Sequence, residues 1–351
     1  MQIKTLQSIE TTNALKGIAI SAVLINHYLN LNISIDGKGF ANAWLSVFFF
    51  LSGYGLFYSL NSRELRNARD LLLFYYQRVV RLFPLLWLAW IIEVITTRGK
   101  MSLWTLTGIH GSGHYWFIPA LLQCYLVSPL IYLGIKKKFT IFIFSFLLVL
   151  VLVNYLGHQA PPIILKRAAF FHLRWRQMFF FHILFFMLGM LFPLIIIPSK
   201  KRYSGLVSIS LFWVFTFFIT IFMIALKIYS QSNSIAKLSF NIAPLFLITL
   251  LCAYSLYYSI RIQCLEYLGS ISYSVYLFHM SYYKSISDMG AFPKNSVKEL
   301  IAYIIVFPIF IFICWQMENL GNYISRKLRS LVLVNADKAD TSVAPHSTGV
   351  P

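Results

Sequence analysis

The sequence predicts an all-α polytopic membrane protein, a bundle of about ten transmembrane helices. Hydrophobic residues make up 58% of the 351 residues and charged residues only 12%, which is about half the charged fraction of an average soluble domain. The mean hydropathy is +0.70. Apolar runs recur through about 320 residues. We therefore expect one transmembrane domain over residues 1–330 and a polar, disordered tail over residues 331–351.

Ten segments approach the roughly 20 apolar residues that a helix needs to cross a bilayer. They are 13–31, 40–60, 80–98, 116–134, 139–156, 179–197, 205–227, 240–259, 267–283 and 299–318. With the N-terminus in the cytoplasm, the cytoplasmic segments hold 17 Lys and Arg residues and the opposite side holds 12, leaving out Lys16 inside the first span. This bias predicts that both termini are cytoplasmic. It also explains the net charge of +19 without a nucleic-acid partner.

The first span carries Lys16 and His27, eleven residues apart on an otherwise apolar helix. Eleven residues make about three turns, so the two side chains share one face and lie about 16 Å apart along the axis. Ionisable groups inside a membrane helix indicate a functional site. The alternative is structural: Lys16 extends to the headgroups, and His27 makes a hydrogen bond between helices.

The second and third spans carry small and basic residues. Gly53 and Gly55 follow Ser52 and predict close packing of helix backbones. Arg78 and Arg81 are spaced to share one helix face at the cytoplasmic surface, where paired arginines suit phosphate recognition. The alternative for this pair is ordinary positive-inside charge. Pro84 is expected to begin the next helix, where its missing N–H costs nothing.

The later spans add aromatic, hydroxyl and acidic side chains. Trp116 suits an interfacial aromatic belt. Ser272, Tyr276 and His279 form a second polar stripe at helical spacing, and Glu318 ends the last span. The four cysteines show no metal-ligand spacing, so no metal is expected.

Taken together, the motifs resemble those of the membrane acyltransferase-3 family. The residues that carry the resemblance, over about 9–321, are Lys-x10-His at Lys16 and His27, Phe-Phe-x-Leu-Ser-Gly ending at Gly53, Arg-x-x-Arg-x-x-Pro from Arg78, Trp-Phe-Ile-Pro from Trp116, Leu-Gly-x-Ile-Ser-Tyr-x-x-Tyr-Leu-x-His ending at His279, and Glu318. Two positions depart from the family pattern: Asn13 stands where many members have Asp, and Gln123 where some have Glu. No acid role is carried over to either.

The resemblance implies a function. The family's members are bacterial enzymes that O-acylate sugars of surface polysaccharides, so the expected donor is acetyl-CoA and the expected acceptor is a polysaccharide or a lipid-linked glycan. The expected location is the bacterial inner (cytoplasmic) membrane, in contact with the lipid bilayer. Active-site roles carry over to Lys16 and His27, and acyl-CoA binding carries over to Arg78 and Arg81.

His27 is then expected to be the general base, and a covalent acyl-histidine is an open alternative. Further site candidates are Ser52, Trp116, Tyr273, His279 and Glu318, with Ser52, Tyr273 and Ser274 as possible oxyanion donors. The rival function is a transporter, flippase or polymerase of lipid-linked glycans, which also needs many helices and intramembrane charge. The other large family of membrane-bound O-acyltransferases is disfavoured, because its Asn/Asp and buried His arrangement is not evident.

Overall fold

The computed structural model describes residues 2–32, 38–62, 67–96, 103–108, 113–137, 179–195, 250–252, 254–288 and 296–342. These ranges contain helices and no β-strand. The α-helices are α1 (Gln2–Asn32), α2 (Lys38–Asn61), α3 (Ala68–Thr96), α4 (Phe117–Lys137), α5 (Phe179–Ile195), α6 (Gln263–Ser270), α7 (Ser272–Asp288) and α8 (Val297–Ser342). Two short 3-10 helices, Leu103–Thr107 and Gly113–Trp116, precede α4.

The predicted all-helical membrane class is confirmed. Within the described ranges, three segments are long and apolar enough to cross a bilayer: Ala68–Thr96, His114–Lys137 and Val297–Val332. A shorter apolar helix covers His182–Leu194. The predicted spans 139–156 and 205–227, and most of 240–259, lie outside the described residues, so the number ten stays a prediction.

Helix α3 does not begin at Pro84, as the sequence predicted, but runs through it. A proline inside a helix has no N–H to donate to the carbonyl four residues earlier, here that of Val80. Ser325 on α8 donates its hydroxyl to the Val80 oxygen at 2.7 Å, and this bond replaces the missing one. Pro129 in α4 is compensated in the same way, because Ser128 donates to the Tyr125 oxygen at 2.7 Å.

The predicted span 267–283 is divided between two helices. The break lies at Ile271, between α6 and α7, and the Ser272, Tyr276 and His279 stripe belongs entirely to α7. At the other end of the chain, α8 continues into the predicted tail and ends at Ser342. Residues 343–351 lie outside the described residues.

Two helix pairs cross with their backbones in contact, and each crossing is lined by glycine on both sides. A Cβ atom on Gly53 in α2 would lie 1.9 Å from the Phe186 oxygen of α5, and one on Gly189 would lie 1.9 Å from the Phe50 oxygen. At the α1–α6 crossing, a Cβ on Gly17 would lie 2.1 Å from the Leu265 oxygen. The predicted close packing at Gly53 is thus confirmed. Gly55 is exposed, and within the described ranges a Cβ atom there would have no neighbour within 4 Å.

Candidate functional site

Three histidines from three separate elements meet at one end of the bundle. His27 comes from α1, His279 from α7, and His114 from the 3-10 helix before α4. The ring centroids of His27 and His279 are 4.8 Å apart, and those of His114 and His279 are 5.2 Å apart. We call these three residues the histidine cluster. The two polar stripes predicted on α1 and α7 therefore meet at their histidines.

His279 is the central member of the cluster and is fully buried. Its Nδ1 lies 2.6 Å from the backbone oxygen of Tyr276, and because a carbonyl only accepts, Nδ1 carries the proton. The other ring nitrogen, Nε2, is then an acceptor. It is buried and has no hydrogen-bond partner within the part of the chain that the structure describes. The Tyr276 hydroxyl donates to the backbone oxygen of His114, which fixes the His114 segment against α7.

A carboxylate from α3 lies behind the histidine cluster. Glu93 Oε2 is 3.7 Å from His114 Nε2, and Glu93 Oε1 is 3.3 Å from Lys284 Nζ. The Glu93 side chain is only 4% exposed, whereas that of Lys284 is 41% exposed. Lys284 therefore connects the buried carboxylate with the surface of the protein.

A second polar group lies further down α1 and contains Lys16, Arg81, Ser274 and Glu318; we call it the basic cluster. Ser274 donates both its backbone N–H, at 3.3 Å, and its hydroxyl to Glu318 Oε2. Lys16 Nζ lies 3.4 Å from Asn13 Oδ1. The charges of Arg81 and Glu318 both act on the Lys16 ammonium. Two cations face one carboxylate here, so the cluster keeps a positive charge.

The paired arginines of α3 have different neighbours. Arg81 is exposed and interacts with Lys16 and Glu318. Arg78 is half-buried, donates to the Ser59 hydroxyl at 2.6 Å, and lies 5.0 Å from the centre of the Phe74 ring. Arg81 is therefore part of the basic cluster, whereas Arg78 also ties α3 to the end of α2.

Three helices run from the basic cluster to the histidine cluster. Helix α1 carries Lys16 and then His27, which lie about 16 Å apart along its axis. Helix α3 carries Arg81 and then Glu93, about 18 Å further on at the same rise per residue. Helix α7 links Ser274 of the first cluster to His279 of the second. The two clusters are thus linked by three helices, over intervals that range from about 7.5 Å along α7 to about 18 Å along α3.

The remaining predicted site residues are placed as follows. Trp116 is buried, and its ring centroid lies 5.2 Å from that of His182. Tyr273 donates its hydroxyl to the Leu82 backbone oxygen at 2.9 Å, so that proton is not directed at an oxyanion. Ser274 is likewise engaged, with Glu318. Ser52 is half-buried on α2, a helix that packs against α1 and α5.

Sequence reasoning missed Glu93 and Lys284 and gave His114 no role. The sequence does contain a signal for Glu93: it is an acidic residue inside the predicted apolar span 80–98, and such residues indicate a functional site. His182 was also overlooked; it is buried on α5 and stacks on the Phe49 ring at 4.4 Å. Lys284 follows the predicted span 267–283 directly and resembled an ordinary flanking lysine.

The chemistry available at this site is acid–base and electrostatic. Imidazoles transfer protons near neutral pH, and the basic cluster is suited to an anionic group. Among the described residues, no group of three or more His, Cys, Asp or Glu side chains is arranged to hold a metal ion.

One comparison with known proteins bears on this arrangement. The model of a protein family described as an acyltransferase domain, acyltransferase 3, matches residues 10–318. This range includes both clusters completely. No curated protein and no solved structure matches the chain.

Proposed function

Since the chain belongs to the acyltransferase 3 family of membrane acyltransferases, we propose that it is an O-acetyltransferase. The donor is acetyl-CoA, and the acceptor is a sugar hydroxyl of a cell-surface polysaccharide or of its lipid-linked precursor. The protein lies in the bacterial inner (cytoplasmic) membrane with both termini in the cytoplasm. This orientation follows from the 17 to 12 split of Lys and Arg residues.

The observation that carries the proposal is the order of the two clusters along the axis of α1. Lys16 and Arg81 form a cationic group at one level, and His27 lies about 16 Å further along the helix. The phosphates of CoA suit the first level, because arginine binds phosphate through two parallel hydrogen bonds. The long, thin pantetheine arm then spans the interval and brings the thioester to the level of His27.

In the reaction, His27 acts as a general base toward the acceptor hydroxyl. The hydroxyl oxygen bonds to the thioester carbonyl carbon, and the C–S bond breaks. The hydroxyl proton passes to His27 and from there to the departing sulfur. The products are an acetyl ester and free CoA thiol, so the protein ends in its starting protonation state.

Glu318 and Ser274 have a supporting role in this scheme. The Glu318 carboxylate, held by two hydrogen bonds from Ser274, offsets part of the positive charge of Lys16 and Arg81 before the donor arrives. It thereby lowers the repulsion between the two cations. Arg78, which is tied to Ser59, keeps α3 in place beside α2 and adds a second cation on the same helix as Arg81.

The decisive experiment compares the surface polysaccharide of cells with and without the protein by mass spectrometry. We expect a mass difference of one acetyl group per repeat unit. His27→Ala should lower acetyl transfer by about 10²-fold or more, the typical contribution of a general base. Ile25→Ala is the matched control, because Ile25 lies on the same helix two residues away and is 56% exposed.

Both variants are compared at equal protein levels in the membrane. Acetylation at the wild-type level by His27→Ala contradicts the general-base role. The alternative outcome is that the polysaccharide carries no extra acetyl group in cells that have the protein, and that cells without the protein lose the polysaccharide or retain it inside. That outcome favours the transporter, flippase or polymerase function.

A further inference from the structure

The proposed reaction gives no task to Glu93, although its position is energetically costly. A carboxylate that is 4% exposed in a membrane helix must be compensated by nearby cations or hydrogen-bond donors. One compensating group is the half-exposed Lys284. Another is His114, which is itself a member of the histidine cluster. A pair that served only to hold α3 against α7 would not need an imidazole from a third element.

The contacts form a continuous file of ionisable side chains. Its first two contacts are ion pairs: Lys284 Nζ lies 3.3 Å from Glu93 Oε1, and Glu93 Oε2 lies 3.7 Å from His114 Nε2. Its last two contacts are between rings: the ring centroids of His114 and His279 are 5.2 Å apart, and those of His279 and His27 are 4.8 Å apart. Both ends of the file are more exposed than its middle: His27 is half-buried and Lys284 is half-exposed, whereas His279 is fully buried.

The geometry points to a positioning role for this file: we propose that Glu93 and His114 act on His27 through His279 during acyl transfer. This inference rests on the proposed function, in which His27 takes up the hydroxyl proton. At that moment a positive imidazolium exists in a site of low polarity. A negative charge behind the histidines and an acceptor nitrogen beside them stabilise that state.

His279 is suited to pass this effect on. Its Nδ1–H donates to the Tyr276 oxygen at 2.6 Å, which fixes both the orientation of the ring and its neutral tautomer. The buried Nε2 has no hydrogen-bond partner within the described ranges, and His27 is the neighbouring ring on one side. Nε2 therefore accepts the N–H of the protonated His27, as the third group of a catalytic triad accepts the N–H of its base.

The test measures acetyl transfer from acetyl-CoA to the membrane glycans of the host, in isolated membranes, with free CoA thiol as the second readout. Glu93→Gln keeps the shape of the side chain and removes its charge. We expect kcat to fall about tenfold or more, while the KM for acetyl-CoA stays within about twofold, because the basic cluster is untouched. Glu93→Asp should recover part of the lost rate.

Two variants separate this role from a merely structural one. If Glu93 only pairs with Lys284, then Lys284→Met should lower kcat as much as Glu93→Gln does. On our proposal Lys284→Met retains kcat within about threefold, since the carboxylate remains beside His114. Glu299→Gln is a matched control, because Glu299 is a buried carboxylate on another helix, α8, and its substitution should leave kcat unchanged.

A double-mutant cycle tests the route through His279. In the His279→Ala background, Glu93→Gln should cause no further loss, because residues that act as a unit are non-additive. Full additivity, or a wild-type kcat for Glu93→Gln in an active membrane preparation, overturns the inference and leaves the proposed function standing. Absence of acetyl transfer by the wild-type protein overturns both. If Glu93→Gln fails to accumulate, His114→Gln decides in its place and should show the same loss of kcat.

Discussion

The glycine crossing of α2 and α5 gives a prediction whose size follows from the structure. In Gly53→Ala the new Cβ atom would lie 1.9 Å from the Phe186 oxygen, whereas real Cβ atoms essentially never come within 3.0 Å of another heavy atom. The two backbones must therefore separate by about 1 Å. The reciprocal contact of Gly189 with the Phe50 oxygen opens at the same time.

This separation disturbs a packed aromatic region. The Phe49 ring stacks on His182 of α5 at 4.4 Å, and Phe50 packs against Phe192 at 5.7 Å. Overpacking of a well-packed interface costs about 1–3 kcal/mol. Alanine also favours the helix over glycine by up to about 1 kcal/mol, so the net effect of Gly53→Ala alone understates the strain.

Gly55→Ala removes this ambiguity, because Gly55 lies two residues away on the same helix and a Cβ atom there would have no neighbour within 4 Å among the described residues. It shares the gain in helix propensity and lacks the clash. The assay is thermal unfolding of the two purified variants in one detergent, followed by size-exclusion chromatography. We expect Gly55→Ala to match the wild type and Gly53→Ala to unfold several degrees lower. Equal midpoints for both variants would refute the crossing geometry.

Three further predictions concern other parts of the bundle. Arg81→Ala should raise the KM for acetyl-CoA more than Arg78→Ala does, because Arg81 interacts with Lys16. Replacement of either arginine by lysine should restore transfer only partly, since the planar guanidinium fork is lost. Normal transfer by the double alanine variant would mean that the pair serves only as positive-inside charge. Ser325→Ala should cost about 1–3 kcal/mol of stability by leaving the Val80 oxygen unbonded, while the exposed Ser330→Ala should be neutral. Cysteines placed in 36–40 and in 325–330 should be labelled from opposite sides of the membrane, and labelling from one side contradicts the topology.

The helical membrane fold follows from composition, but helix boundaries depended on contacts that are distant in sequence. The start of α3 was misplaced because Pro84 in isolation favours a helix N-terminus. What allows the helix to continue is the hydroxyl of Ser325, which binds the Val80 oxygen and lies 245 residues from Val80 in the chain. The break at Ile271 was missed for a related reason: the division of 267–283 into α6 and α7 accompanies the contact of Gly269 with the backbone of α1, a helix more than 200 residues earlier in the chain.

The site shows the same division between local and distant information. The eleven-residue spacing on α1 places Lys16 and His27 on one helix face, and the i, i+4, i+7 spacing on α7 places His279 on a stripe. Nothing in either pattern says that the two histidines meet. That contact, at 4.8 Å, is set by the packing of α1 against α6 and α7, which is fixed in turn by the glycines of the crossing.

Glu93 illustrates how such a site can be read more completely from sequence. An acid inside an apolar span is expensive wherever it lies, so its presence requires compensating groups even before a structure exists. The compensating groups are on a loop helix and on α7, and neither is near Glu93 in sequence. The cost of burying the carboxylate is offset only when those elements come together, so the charge helps to specify their packing. The same charge remains beside the histidines, where the proposed reaction generates a transient cation.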